Sequence, residues 1–124
     1  MGNIAKNTLE LMKKEYGTRA ENVAAFIGPS ICMNCYEVSE DVIEQYNKAF
    51  SKEELKDIVS AGKEKGKYQL NLQMANYYNM INAGIVPQNI GISDICTCCN
   101  SDILFSHRAS HGKRGILCGF IYIK

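Results

Sequence analysis

At 124 residues the chain is long enough for one domain with a buried core. Hydrophobic residues make up 46% and charged residues 22%, and 14 Lys and Arg against 13 Asp and Glu leave a formal net charge of +1. That balance gives no bulk electrostatic reason for a nucleic-acid partner. No apolar run approaches the roughly 20 residues that span a bilayer.

The opening residues are amphipathic rather than continuously apolar, unlike a secretory signal, and Lys6 breaks the N-myristoylation pattern. The expected setting is the cytoplasm, with neither a nucleic-acid nor a membrane partner. Six cysteines in that setting are poor candidates for structural disulfides. They leave three readings: metal ligands, reactive thiols, or small buried hydrophobes.

In chain order, residues 3–17 predict a helix, with Ala5, Leu9, Met12 and Tyr16 on one stripe. Asn3 suits its N-cap and Gly17 its end. Residues 23–28 predict a buried strand stopped by Gly28-Pro29. Ser39 is placed to cap a helix over 40–50. Ser51 with Glu54 has the spacing of a capping box for a short helix over 52–62. Residues 62–67, Gly-broken and basic, predict a surface turn. A second strong helix is expected over 68–84, with Leu70, Met74, Tyr77 and Ile81 on one face and Gly84 closing it. Strands are expected over 89–95, 103–108 and 115–124. The order of helices and strands predicts a mixed α/β, or α+β, single domain.

Four features can carry chemistry. Cys32-x-x-Cys35 with Cys96, Cys98 and Cys99 offers thiolates for zinc. About 60 residues with helices among them separate the two groups, however, and structural zinc sites usually close shorter loops. No metal ligand is therefore expected. A redox pair would open a helix directly after a strand, whereas the next helix is expected only after Ser39. His107 and His111 fall on a strand and a turn, so their spacing defines no shared helical face. Arg108, Lys113 and Arg114 around Ser110 and Gly112 form a turn able to hold an anion, or a solvated loop. Finally, Gly28, Pro29 and Ser30 end a strand at the edge where α/β proteins bind ligands. Cys35, Tyr36 and Glu37 then add a thiol, an aromatic face and an acceptor, which suit a flat ring. If Phe105 faces the core, Ser106 and Arg108 share the opposite strand face, where a guanidinium beside a hydroxyl suits an anion.

The order and spacing of "IGPSICMNCYEV", "LNLQMAN", "DICTCCN", "LFSHRASHGKRG" and "GFIYIK" resemble the laccase-domain family. Its bacterial members are called polyphenol oxidases, purine nucleoside phosphorylases and peptidoglycan editing factors. The sharpest matches are Ile27-Gly28-Pro29, Cys35-Tyr36-Glu37-Val38, Leu70-Asn71-Leu72, Cys96-Thr97, Cys99, and Phe105-Ser106 with Arg108. Asn34 replaces the first cysteine of the family's common "GPCCYEV", and His107 stands where many members carry Tyr. The resemblance implies that residues 1–124 are the C-terminal half of a domain about twice this length. The complete family enzyme uses zinc or copper in a His-Cys-His set. Its Ala-Asp-Cys and His-Ala-Gly-Trp-Arg-Gly motifs do not occur in this sequence.

The resemblance thus implies a portion of a purine nucleoside phosphorylase and adenosine deaminase. Gly28, Pro29, Ser30, Cys35, Tyr36, Ser106 and Arg108 would line the purine nucleoside and phosphate pocket, and this chain alone would bind no metal and be inactive. The alternatives are a non-catalytic half-domain that associates with an N-terminal half or with itself, and a small cysteine-ligated zinc module.

Overall fold

The computed structural model describes residues 3–113 and 115–122. Met1 and Gly2, the Arg114 expected in the cationic turn, and the last two residues of the expected C-terminal strand lie outside the described residues. Helix α1 spans Ile4–Tyr16. Gly17, at φ 65°, closes it by donating to the Lys13 carbonyl, while Thr18 donates to Met12. Leu9 is buried and Ala5 and Met12 are half-buried, but Tyr16 is 82% exposed. The expected stripe therefore stops a turn early. Asn3 occupies the N-cap position in a left-handed conformation without a side-chain cap bond.

Two small sheets follow. Strands β1 (Ala25–Ile27) and β5 (Ile90–Ile92) pair in parallel, with Phe26 opposite Gly91. The Phe26 ring lies over Gly91, where a Cβ would meet it at 2.6 Å. Strands β2 (Glu37–Ser39), β3 (Val59–Ala61) and β4 (Lys67–Leu70) form an antiparallel sheet in the order β2-β4-β3. Helices α2 (Glu40–Ala49), α3 (Lys52–Ile58) and α4 (Leu72–Asn82) complete a mixed α/β architecture, the class read from the sequence. Among the described residues no helix is long and apolar enough to cross a membrane.

Two expected helices are shorter than their patterns, each because a strand takes one end. The helix after Ser51 stops at Ile58, and β-branched Val59 begins a hairpin opposite Leu70. Gly62 permits that hairpin to close, since a Cβ there would sit 2.4 Å from the Lys67 backbone. The helix expected from residue 68 begins only at Leu72. Asn71 caps it, its side chain accepting from Met74 N–H at 3.1 Å, and Leu70 is fully buried in β4 rather than on a helical stripe.

The two C-terminal strands do not form among the described residues. Residues 106–113 instead satisfy their backbone locally: Ser110 N–H donates to Ser106 and Gly112 N–H to His107. Residues 115–122 carry the apolar pattern of a strand but pair with no strand among the described residues, leaving Ile116, Phe120, Ile121 and Tyr122 exposed. A strand needs a ladder partner, which a one-dimensional pattern cannot supply.

The core joins Val38, Ile43, Tyr46, Phe50, Ile58, Leu70 and Ala75, with Tyr46 and Phe50 stacked at 5.9 Å between ring centroids. It lies between the three-stranded sheet and α2, α3 and α4. Ile58 and Leu70 are its fully enclosed members. Leu70→Ala is therefore expected to cost about 2–5 kcal/mol in urea unfolding. Ser51 and Glu54 form the reciprocal capping box of α3, which holds the Glu54 carboxyl below its usual 4.5 through hydrogen bonds from the Ser51 backbone and hydroxyl. A depressed folded-state value stabilises above the ordinary carboxylate range and loses that contribution as pH falls. Ser51→Ala should thus cost about 1 kcal/mol at neutral pH. The difference from the parent should shrink in unfolding curves taken below pH 4.5.

Candidate functional site

The site begins where β1 and β5 end. Ser93 N–H donates to Ile27 at 2.9 Å, and the two following loops then stay in register. Ser30 N–H donates to Ile95 and Thr97 N–H to Ser30, each at 3.1 Å, making a parallel bridge between Ser30 and Cys96. Beyond it, Met33–Cys35 make one 3₁₀ turn before β2. This geometry lacks the helix that a redox pair would open. The second loop turns at Cys96, whose carbonyl accepts from the Asn100 N–H at 3.1 Å and from its side chain at 2.7 Å.

These two turns gather four sulfurs. The Sγ atoms of Cys32, Cys35, Cys96 and Cys99 all lie within 4.8 Å of one another, an arrangement that could hold a metal ion. Cys98, grouped with them by sequence, stands outside the set. The long separation that argued against metal is what a parallel strand pair requires: the crossover is long, yet the strand ends finish side by side. The signal in sequence is the spacing itself, since Cys96 and Cys99 repeat the two-residue gap of Cys32 and Cys35.

The sulfurs are not equivalent. Burial pushes the Cys96 thiol up, but N–H groups of Cys32 at 3.2 Å and Cys99 at 3.4 Å donate to it and bring it down to about 6. The hydrogen bond with Cys99 at 3.5 Å, followed by burial, pushes Cys35 up. Cys96 is thus the sulfur prepared to carry negative charge.

On the other side of Cys35, Tyr36 faces Arg108. The guanidinium carbon lies 5.4 Å from the Tyr36 ring centroid, and Nη1 and Nη2 both donate to the Glu37 carbonyl at 3.2 Å. Arg108 is therefore a clasp between the turn at 101–113 and the start of β2. The Glu37 carboxylate points elsewhere, accepting from Lys63 N–H at 2.7 Å and from Gln69 at 3.4 Å.

Ser106 and Arg108 do not share a strand face, because the segment is a turn. Ser106 is buried and its hydroxyl accepts from Ala109 N–H, whereas Arg108 is exposed. Phe105 is not in the core but 57% exposed, with its ring against the Gly115 backbone. Ser106 lines a cleft of about 280 Å³ with Ser101, Phe105, Ser110 and Lys113, and Arg108 is outside that lining. The Ser30 hydroxyl is buried without a hydrogen-bond partner among the described residues. In front of Gly28 there is open space, since a Cβ there would meet nothing within 4 Å.

The family model described as "Multi-copper polyphenol oxidoreductase laccase" matches residues 1–124, and the chain belongs to that family. It is 36% identical over 87% of its length to adenosine deaminase RL5 of an unknown prokaryotic organism, covering 40% of that protein. It is 35% identical over 98% of its length to a purine nucleoside phosphorylase of Bacteroides thetaiotaomicron, covering 44% of it. The crystal structure of YlmD from Geobacillus stearothermophilus superposes with a TM-score of 0.81 at 29% identity, over 92% of this chain and 42% of that one. The chain thus spans less than half the length of the relatives it matches.

Copper in the family description raises the question of which residues here fit such a centre. Among the described residues neither histidine joins a cluster of potential ligands, and the one cluster present is all sulfur. The described residues do not build a His-Cys-His set.

Arg108→Ala removes the ring contact and both carbonyl hydrogen bonds. It is expected to cost about 1 kcal/mol and to speed limited proteolysis within residues 101–113, read by mass spectrometry of the first cleavage products. Arg108→Lys, which lacks the planar fork, should fall between the two.

Proposed function

We propose that this chain supplies the C-terminal part of a laccase-domain purine nucleoside phosphorylase, with adenosine deamination as a related activity of the same pocket. The observation that carries the reading is the alignment of a named purine nucleoside phosphorylase over 98% of the chain. The geometry supports a pocket wall: open space before Gly28, with Pro29 and Ser30 following at the strand end, and the ring of Tyr36 beside Cys35. Backbone and aromatic surface of this kind suit a flat purine base. Ser106 lies in the neighbouring cleft, and Arg108 positions Tyr36 from its other side. The substrates would be a purine nucleoside and phosphate, handled in the cytoplasm. The zinc or copper centre of the complete family enzyme would come from a polypeptide carrying the His-Cys-His motifs.

The test is release of hypoxanthine from inosine and inorganic phosphate, measured with the 124-residue chain alone and after addition of a family N-terminal half. The chain alone should be silent and the assembled pair active. Turnover of about 1 per second or more by the chain alone overturns the division of labour. A pair that associates but stays silent overturns the phosphorylase reading. In the active assembly, Gly28→Ala should leave the melting temperature unchanged, because its Cβ meets nothing, but should raise KM for inosine severalfold by filling the approach to the loop.

A second reading, association without catalysis, is favoured by the exposed Ile116, Phe120, Ile121 and Tyr122. Apolar surface gathered in one segment marks an interface, and a partner strand beside residues 115–122 would complete the pattern they carry.

A further inference from the structure

The four-sulfur cluster shares Cys35 with the proposed pocket wall, but its chemistry does not depend on the phosphorylase reading. A zinc–sulfur bond of about 2.3 Å in a tetrahedron places neighbouring sulfurs about 3.8 Å apart. Two of the sulfur separations fall on either side of that value, Cys35 to Cys99 at 3.5 Å and Cys32 to Cys99 at 4.0 Å, and every pair of the four lies within 4.8 Å. These sulfurs are not joined as disulfides, and all four cysteines are free.

The backbone is built around the cluster. Each pair sits on a tight turn that places two sulfurs on one side, Cys35 N–H donating to Cys32 at 3.1 Å and Asn100 N–H to Cys96 at 3.1 Å. Two further N–H groups, from Cys32 and Cys99, converge on the Cys96 sulfur. Donors aimed at a sulfur stabilise its thiolate, the form that binds metal. The Ser30–Cys96 bridge fixes one turn against the other. Two chelating pairs held in register are unlike a chance gathering of buried thiols.

We propose that Cys32, Cys35, Cys96 and Cys99 bind one zinc-class divalent ion as a tetrahedral four-thiolate site that fastens the loop after β1 to the loop after β5. All-sulfur tetrahedral sets of closed coordination are the donor chemistry of structural zinc. Binding replaces the thiol protons, which pass to solvent, and changes no oxidation state. The role is structural: with four protein ligands no position is left for water or substrate. The benefit falls away from the main hydrophobic core, which lies with the other sheet, while Ile27 is the buried residue of β1.

The experiment uses the untagged 124-residue chain, purified without chelators and analysed for metal by inductively coupled plasma mass spectrometry. One zinc per chain is expected. Cobalt(II) in its place should give the absorption of tetrahedral thiolate coordination. Removal by a strong chelator should lower the melting temperature, and zinc should restore it. Cys99→Ala should lose the metal, while Cys99→His, which supplies another zinc ligand, and Cys118→Ser, which alters an exposed cysteine outside the cluster, should keep it. If Cys99→Ala fails to fold, cobalt and chelator measurements on the parent decide the matter. Three results overturn the proposal: a parent that neither retains nor takes up zinc or cobalt; stoichiometric iron in place of zinc; or an intact mass two hydrogens light, showing a disulfide within the cluster.

Discussion

Two backbone hydrogen bonds past the end of a short parallel strand pair hold the cysteine-bearing end of this molecule together. Ser30 donates to Ile95 and accepts from Thr97, and this bridge carries the pairing of β1 and β5 beyond the strands themselves. Each such bond contributes only about 1 kcal/mol net. Their effect is positional. They decide which residue of one loop faces which residue of the other, so that Cys32 and Cys96 meet although 64 positions separate them. Slipping the register by one residue would send these side chains to opposite faces.

A second constraint acts on the same loop from its far end. Arg108 grips the Glu37 carbonyl and lies over Tyr36, tying the turn of 101–113 to the entry of β2. Residues 30–37 are thus held at three places: the bridge at Ser30, the sulfur cluster, and the clasp at Tyr36-Glu37. A loop restrained along its length presents its backbone and its aromatic ring in one arrangement. A binding wall for a rigid, planar ligand needs such preorganisation.

Much of this was legible in the sequence where the determinants are local. The capping box at Ser51 and Glu54, the helix closures at Gly17 and Gly84, and strands β1 and β5 between their flanking turns all follow from residues a few positions apart. The mixed α/β class followed as well. What was not legible depends on partners distant in sequence. Val59 and Leu70 read as helical until each is placed opposite the other in a hairpin. Residues 103–108 and 115–122 have strand composition, yet composition specifies no neighbour. The cysteines show the same limit most plainly. Their two matching gaps were visible, but the distance between the pairs was judged by the standards of a local loop, and a parallel crossover follows a different rule. Arg108 was singled out as a candidate anion partner, but the partner it has here, a backbone carbonyl 71 positions away, has no signature in sequence.

The two sheets also differ in when they can assemble. The hairpin of β3 and β4 closes through a turn of a few residues, and its core neighbours α3 and α4 adjoin it in the chain. Such contacts cost little loop-closure entropy and form early. Strands β1 and β5 enclose that whole unit between them, so their pairing must wait until the enclosed chain has compacted and brought Ala25 to Ile90. The three-stranded sheet is then the scaffold on which the parallel pair registers. Loop-closure entropy thus favours the two cysteine-bearing loops meeting last, and substitutions there should act mainly on the rate of unfolding rather than on the rate of folding.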